Sequence, residues 1–304
     1  MFYITCVRTE YREEPCKVAL NKVRGMPFNW SLNPYPGCAH RCTFCYVRAF
    51  ELRAERPSDD RYGRTIRVKT NVAEVLRAEL ARPSWSGDGI AIGAATDPYQ
   101  PAEGRYRLTR ACLEVLADAR NPFSLITRGP MILRDMDILQ AAARSADVSV
   151  TFSVPTLDED VWRRTEPGTA HPRQRLRVLR QLVDAGIKAS VGMAPILPGI
   201  SDRPEQLEQV VAAAREAGAT GVWANLLYLK PGTREHFLEQ LAEHWPEQLL
   251  RYEELYRRRA YLPQSVAAPV REQVAELRSK HGVADRRSVR LSPPPRPEQL
   301  ALAV

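Results

Sequence analysis

No stretch of this 304-residue chain stays apolar for the ~18 residues that a membrane crossing needs. The first residues carry no secretory signal either, because Arg8, Arg12, Glu13 and Glu14 interrupt them before an apolar stretch forms. A soluble, cytoplasmic protein without membrane contact is expected. No internal sequence repeat marks a solenoid. There is no disulfide framework of the kind found in small secreted chains, since the six cysteines (Cys6, Cys16, Cys38, Cys42, Cys45 and Cys112) are clustered in one place and scattered elsewhere. The basic excess is modest, 44 Lys+Arg against 36 Asp+Glu for a net charge of +8, and no basic run comes with a docking motif. Charge alone therefore does not identify a nucleic-acid binder. What the chain does have is 44% hydrophobic residues, enough to bury a core and too many for a disordered protein.

Short apolar runs alternate with longer helical patterns. Strands are predicted at Asn29–Asn33, Gly89–Ala95, Phe123–Thr127, Val148–Val154, Lys188–Ala194 and Val222–Leu227, several of them continuous apolar runs of the kind buried parallel strands show. Between them lie helical patterns at Asn71–Arg82, Thr109–Arg120, Leu133–Arg144, Pro172–Ala185 and Pro204–Ala217. Asn71 with Glu74, and Thr156 with Glu159, stand at capping-box spacing, and Ser201 and Asp202 are cap candidates. Gly186 and Gly218 suit the left-handed position just past a helix. Strands each followed by a helix imply an α/β fold with a parallel sheet, compatible with an open or partial (β/α) barrel. The expected organisation is an irregular leader over 1–28, the barrel over 29–233, a helical extension over 234–284 and a disordered, proline-containing tail over 285–304. In such folds the chemistry sits just after the strands.

The first strand is followed by Cys38-Ala39-His40-Arg41-Cys42-Thr43-Phe44-Cys45-Tyr46. Three thiolates spaced Cys-x3-Cys-x2-Cys can converge on one cluster. Iron–sulfur clusters are normally held by four cysteines, so three leave one iron of a [4Fe–4S] cube open to a ligand. Zinc would want four tetrahedral ligands, with His40 available as the fourth. Three buried structural cysteines are the plainest alternative.

Cys-x3-Cys-x-aromatic-Cys, with Phe44 as the aromatic, resembles the radical S-adenosylmethionine (SAM) enzymes. That resemblance implies a partial (β/α)6 barrel and a [4Fe–4S] cluster held by Cys38, Cys42 and Cys45. It also implies SAM on the open iron, an electron donor such as flavodoxin or ferredoxin, and a 5′-deoxyadenosyl radical that abstracts hydrogen from a substrate. The later strand ends fit. Thr96 and Asp97 can accept from an ammonium group, although Asp97-Pro98 is also a turn signal. Arg128 can pair with a carboxylate. Ser153 is placed for a ribose hydroxyl, and Ala194 for adenine. Glu166 before a proline reads as a helix end.

Thr96-Asp97-Pro98, Thr127-Arg128, Phe152-Ser153, Glu166-Pro167-Gly168-Thr169 and Ala194-Pro195-Ile196, in this order after the cysteines, are similar to the spore photoproduct lyase-like, "DNA repair photolyase" group, and within it to actinobacterial-type members. The resemblance implies cofactor contacts at Phe44, Tyr46, Thr96, Asp97, Arg128, Ser153 and Ala194, and a lyase-like reaction on an unidentified substrate, DNA or RNA among the candidates. It departs at one place. Spore photoproduct lyase carries a hydrogen-donating cysteine just before its Thr/Ser-Asp-Pro segment, where this chain has Gly93-Ala94-Ala95, which argues against photoproduct lyase activity itself. The reading from another class is a zinc-stabilised nucleic-acid-binding protein built on the same cysteines and on Arg257-Arg258-Arg259, a run that is more simply a solvated helix face.

Overall fold

The computed structural model describes residues 9–286. Strands β1 (Glu10–Glu14), β2 (Leu20–Lys22) and β3 (Trp30–Leu32) precede helix α1 (Arg48–Arg53). Then come β4 (Thr65–Lys69), α2 (Val72–Leu80), β5 (Ile90–Ile92), α3 (Pro101–Tyr106), α4 (Leu108–Asp118), β6 (Phe123–Thr127) and α5 (Met136–Ala143). The chain continues through β7 (Val148–Ser153), α6 (Glu159–Thr165), α7 (Pro172–Asp184), β8 (Lys188–Ile196), α8 (Pro204–Glu216) and β9 (Val222–Leu226). It ends with α9 (Thr233–His244), α10 (Leu249–Tyr256) and α11 (Gln264–Lys280).

Seven strands form one sheet in the order β2-β3-β5-β6-β7-β8-β9, with β2 antiparallel to β3 and every other pair parallel. All six predicted strands are present. The reason they were legible is burial: every residue of β5 and β7 is buried, so these strands read as unbroken apolar or small-residue runs. No ladder joins β9 back to β2 or β3, so the barrel is open between its first and last units among the described residues. Helices cover the outside, as in α7, where Leu176, Val178, Leu179 and Leu182 turn inward. Gly186 and Gly218 follow their helices at φ 84° and 78°.

The described part of the leader holds two strands. β1 pairs in parallel with β4, a strand the sequence reading also passed over, and β2 extends the main sheet. β1 is largely exposed and reads Glu-Tyr-Arg-Glu-Glu, so it offers no apolar run to find. Three cap assignments also change. Asp158, not Thr156, caps α6 by accepting from Asp160 and Val161 N–H. Asn71 stands at the start of α2 but turns its amide to Cys16, accepting from its N–H at 2.7 Å and donating to its carbonyl at 3.1 Å. Ser201 and Asp202 serve the preceding turn, accepting from Leu197 and Gly199 N–H. The 285–304 tail lies outside the described residues except for Asp285, which bridges Val222, and Arg286. No helix of the described residues is long and apolar enough to cross a membrane.

Because Asn71 ties the leader to α2 through two hydrogen bonds, Asn71→Ala is expected to lower the unfolding free energy by about 1–3 kcal/mol, measured by denaturant titration.

Candidate active site at the strand ends

The cysteine loop leaves β3 and is held from four other segments. Gln100, wholly buried, accepts from Ala39 N–H at 3.0 Å and donates to the carbonyls of Gly37 at 2.9 Å and Tyr35 at 3.4 Å. Gly168 N–H donates to the His40 carbonyl at 3.1 Å, and a Cβ at 168 would stand 2.6 Å from the Ala39 carbonyl oxygen. Gly63 approaches from another side: a Cβ there would fall 2.2 Å from the Cys38 carbonyl oxygen. Thr43 N–H bonds the Thr165 carbonyl at 2.9 Å, and Thr233 Oγ1 donates to the Cys45 carbonyl at 3.1 Å. Arg41, between the first two cysteines, turns the loop with φ 54°.

Cys38 and Cys42 are buried, Cys45 is half-buried, and all three thiols are free. His40 is buried against Asp97, Nδ1 to Oδ2 at 3.4 Å, an ion pair rather than an aligned hydrogen bond. Burial alone would lower the imidazole pKa, but the charges of Cys38 and Asp97 outweigh it and raise it to about 10. The same pair acts in reverse on Cys38, where burial opposes ionisation and His40 prevails, pulling the thiol down. Burial pushes Cys42 and Cys45 up. The described His, Cys, Asp and Glu side chains form no group of three or more gathered around a single metal ion. An iron–sulfur cluster sets a different requirement, one thiolate on each of several irons. Three free thiols on a clamped loop fit that donor set, whereas the histidine that zinc would recruit faces Asp97.

The predicted contacts lie at the same end of the sheet. Asp97 follows β5 and accepts from Thr127 Oγ1 at 2.7 Å, Arg128 N–H at 2.7 Å and Tyr99 N–H at 2.9 Å. The turn and the positioned carboxylate are thus one structure. His40 in particular lowers the Asp97 pKa to about 2 against the opposing effect of burial. Thr96 donates its hydroxyl to the Tyr35 carbonyl at 2.7 Å. Arg128 follows β6, donates Nε–H to Glu166 at 2.6 Å and lies 5.9 Å from the centroid of buried Phe44. Tyr46 donates its hydroxyl to the Ala94 carbonyl. Ser153 ends β7, its carbonyl taking a 2.7 Å bond from Arg175. Ala194 lies in β8 where pairing with β9 skips from Met193 to Ile196.

Glu166 does more than end a helix. It is wholly buried, bridges Arg128 and Arg175, and Arg175 goes on to Thr169 Oγ1 at 2.5 Å and the Ala170 carbonyl at 2.8 Å. Gln100 and Arg175 were missed because an amide in a Tyr-Gln-Pro turn and an arginine in an amphipathic helix carry no motif. Their burial was the missing signal.

Residues 32–210 match the radical SAM superfamily, and the chain belongs to it. It is therefore a radical SAM enzyme, and membership implies SAM, an iron–sulfur cluster and a reductant. The chain is 41% identical over 278 residues to an uncharacterised protein of Mycobacterium tuberculosis, covering 90% of this chain and 82% of that one. It is 27% identical over 168 residues to a radical SAM Nalpha-GlyT isomerase of Pseudomonas phage M6, covering 55% of this chain and 33% of that one. Among solved structures, spore photoproduct lyase complexed with dinucleoside spore photoproduct superposes with a TM-score of 0.66 at 12% identity, over 89% of this chain and 79% of that one. The shared fold is an open α/β barrel.

Gln100→Leu removes all three bonds to the cysteine loop. It is expected to cost roughly 1–3 kcal/mol and to leave iron substoichiometric after anaerobic reconstitution, read by unfolding and iron assay. Arg175→Met leaves Glu166 with Arg128 as its remaining guanidinium partner and the Ser153 and Ala170 carbonyls without their donor, and should cost about 1–3 kcal/mol, seen as a lowered denaturation midpoint.

Proposed function

We propose that the chain cleaves SAM reductively at a [4Fe–4S] cluster held by Cys38, Cys42 and Cys45, and uses the product for hydrogen abstraction in a lyase-like reaction. When bound, the cluster and SAM supply one electron to the sulfonium and a 5′-deoxyadenosyl radical. The observation that carries the reading is the clamped loop of three free thiols whose one histidine is engaged by Asp97. No fourth protein donor on that loop competes for the open corner.

The chain's own groups support binding of SAM at the strand ends. Thr96 spends its hydroxyl proton on Tyr35, so its oxygen keeps lone pairs as acceptors for an ammonium group. Asp97 is engaged at both oxygens and acts by fixing Thr127, the Arg128 backbone and His40. Arg128 keeps its Nη groups free of hydrogen bonds among the described residues, available to a carboxylate, while Glu166 fixes the other edge of the guanidinium. The Ser153 hydroxyl makes no bond to a described residue and can meet a ribose. The Ala194 backbone leaves the ladder and can meet adenine. Phe44 and Tyr46 wall the space beside the cysteines. A flavodoxin or ferredoxin is the electron donor, and the setting is cytoplasmic. With Ala94 and Ala95 before Thr96, hydrogen return by a thiol at that position is not part of the reaction.

Reconstituted anaerobically and given dithionite and SAM, the protein is expected to release 5′-deoxyadenosine, and Cys42→Ala to fall to the protein-free background. One zinc per chain without iron, or an iron-loaded protein making no 5′-deoxyadenosine, would overturn the reading.

A further inference from the structure

An aromatic row crosses the open side of the barrel. Tyr46, next to Cys45, meets Phe50 on α1 edge-on at 5.9 Å between centroids. On its other side it meets Tyr228, just past β9, at 6.1 Å. Tyr228 in turn stacks on Tyr261 at 5.3 Å with the ring planes 17° apart. The row thus links the exit of β3 to the exit of β9, the two units that no ladder joins.

Its outer rings face solvent. Tyr261 is 61% exposed and Phe50 45%. Core packing does not explain a ring so open, yet Tyr261 is held in place. Leu229 N–H donates to the Ala260 carbonyl at 2.8 Å, and the Tyr256 hydroxyl donates to the Leu227 carbonyl at 2.7 Å. These bonds fix both ends of the connection to the exit of β9. Cations flank the row. The Arg53 guanidinium lies 5.7 Å from the Phe50 centroid, and exposed Arg257, Arg258 and Arg259 lead directly into Ala260 and Tyr261.

We propose that Tyr228 and Tyr261 form a stacking shelf for an unpaired base of a single-stranded nucleic acid, with Arg53 and Arg257–Arg259 answering its phosphates. The inference rests on the proposed function in that the shelf leads a strand toward the cysteine loop. Fixed aromatic faces beside guanidinium groups are what single-strand recognition uses, since every base has a π-face and every linkage a charge. An acidic protein surface would pair with the arginines but would leave the stacked rings without a role.

The test is fluorescence anisotropy of a labelled single-stranded oligothymidylate with the anaerobically reconstituted full chain, without SAM or reductant, over a salt series. Tyr261→Ala is expected to weaken binding roughly 5- to 100-fold, and Tyr261→Phe, which keeps the ring, to bind as the parent does. Arg258→Gln should reduce the salt slope by about one. Tyr261→Ala binding as tightly as the parent, or a parent that binds no strand at low salt, overturns the shelf. So does a Tyr261→Phe variant as weak as Tyr261→Ala. Because this readout involves no SAM cleavage, failure of the shelf and failure of the radical reading are seen separately.

Discussion

The structure turns on the fixation of one loop that has no secondary structure of its own. A backbone run carrying three cysteines cannot satisfy its own polar groups, and a buried unpaired amide or carbonyl costs free energy comparable to a lost hydrogen bond. Gln100 answers this by standing in for a neighbouring strand: one side chain accepts from Ala39 and donates to Gly37 and Tyr35. Gly168 and Gly63 do the complementary steric work, letting two other backbones approach so closely that any side chain there would collide. The α/β frame therefore fixes the backbone of the loop.

Behind it lies a second layer built from charge. Asp97 and Glu166 are each buried, and each is matched by partners from other segments: His40, Thr127 and the Arg128 amide for one, Arg128 and Arg175 for the other. Arg128 belongs to both groups through its backbone and its side chain. Buried ion pairs of this kind add little net stability, because desolvation offsets the attraction, yet removing one member is costly. Their value here is geometric, coupling the exits of β5, β6 and β7 to the cysteine loop.

The strands of the sheet core were legible because buried parallel strands leave apolar or small-residue runs, as in Ile90–Ile92. The cysteine loop was legible because its spacing is itself chemical information. The edge strand Glu10–Glu14 was not, since a charged, largely exposed segment carries no apolar run to mark it. Nor could the sequence show that Asn71 would leave its helix start to bind Cys16, or that Glu166 and Arg175 would meet. Those outcomes depend on contacts across the fold, which local pattern does not encode. Thr156 illustrates the same limit at short range: the spacing suited a cap, but Asp158, two residues nearer the helix, took the position.

The bonds around the cysteine loop also span a long stretch of sequence. The hydroxyl that secures the Cys45 carbonyl belongs to Thr233, 188 positions downstream, and another fixing contact comes from Gly168. On a growing polypeptide the three thiols emerge from the ribosome long before the groups that hold their backbone in place. The backbone of the cysteine loop is thereby secured only once the chain has been made as far as Thr233.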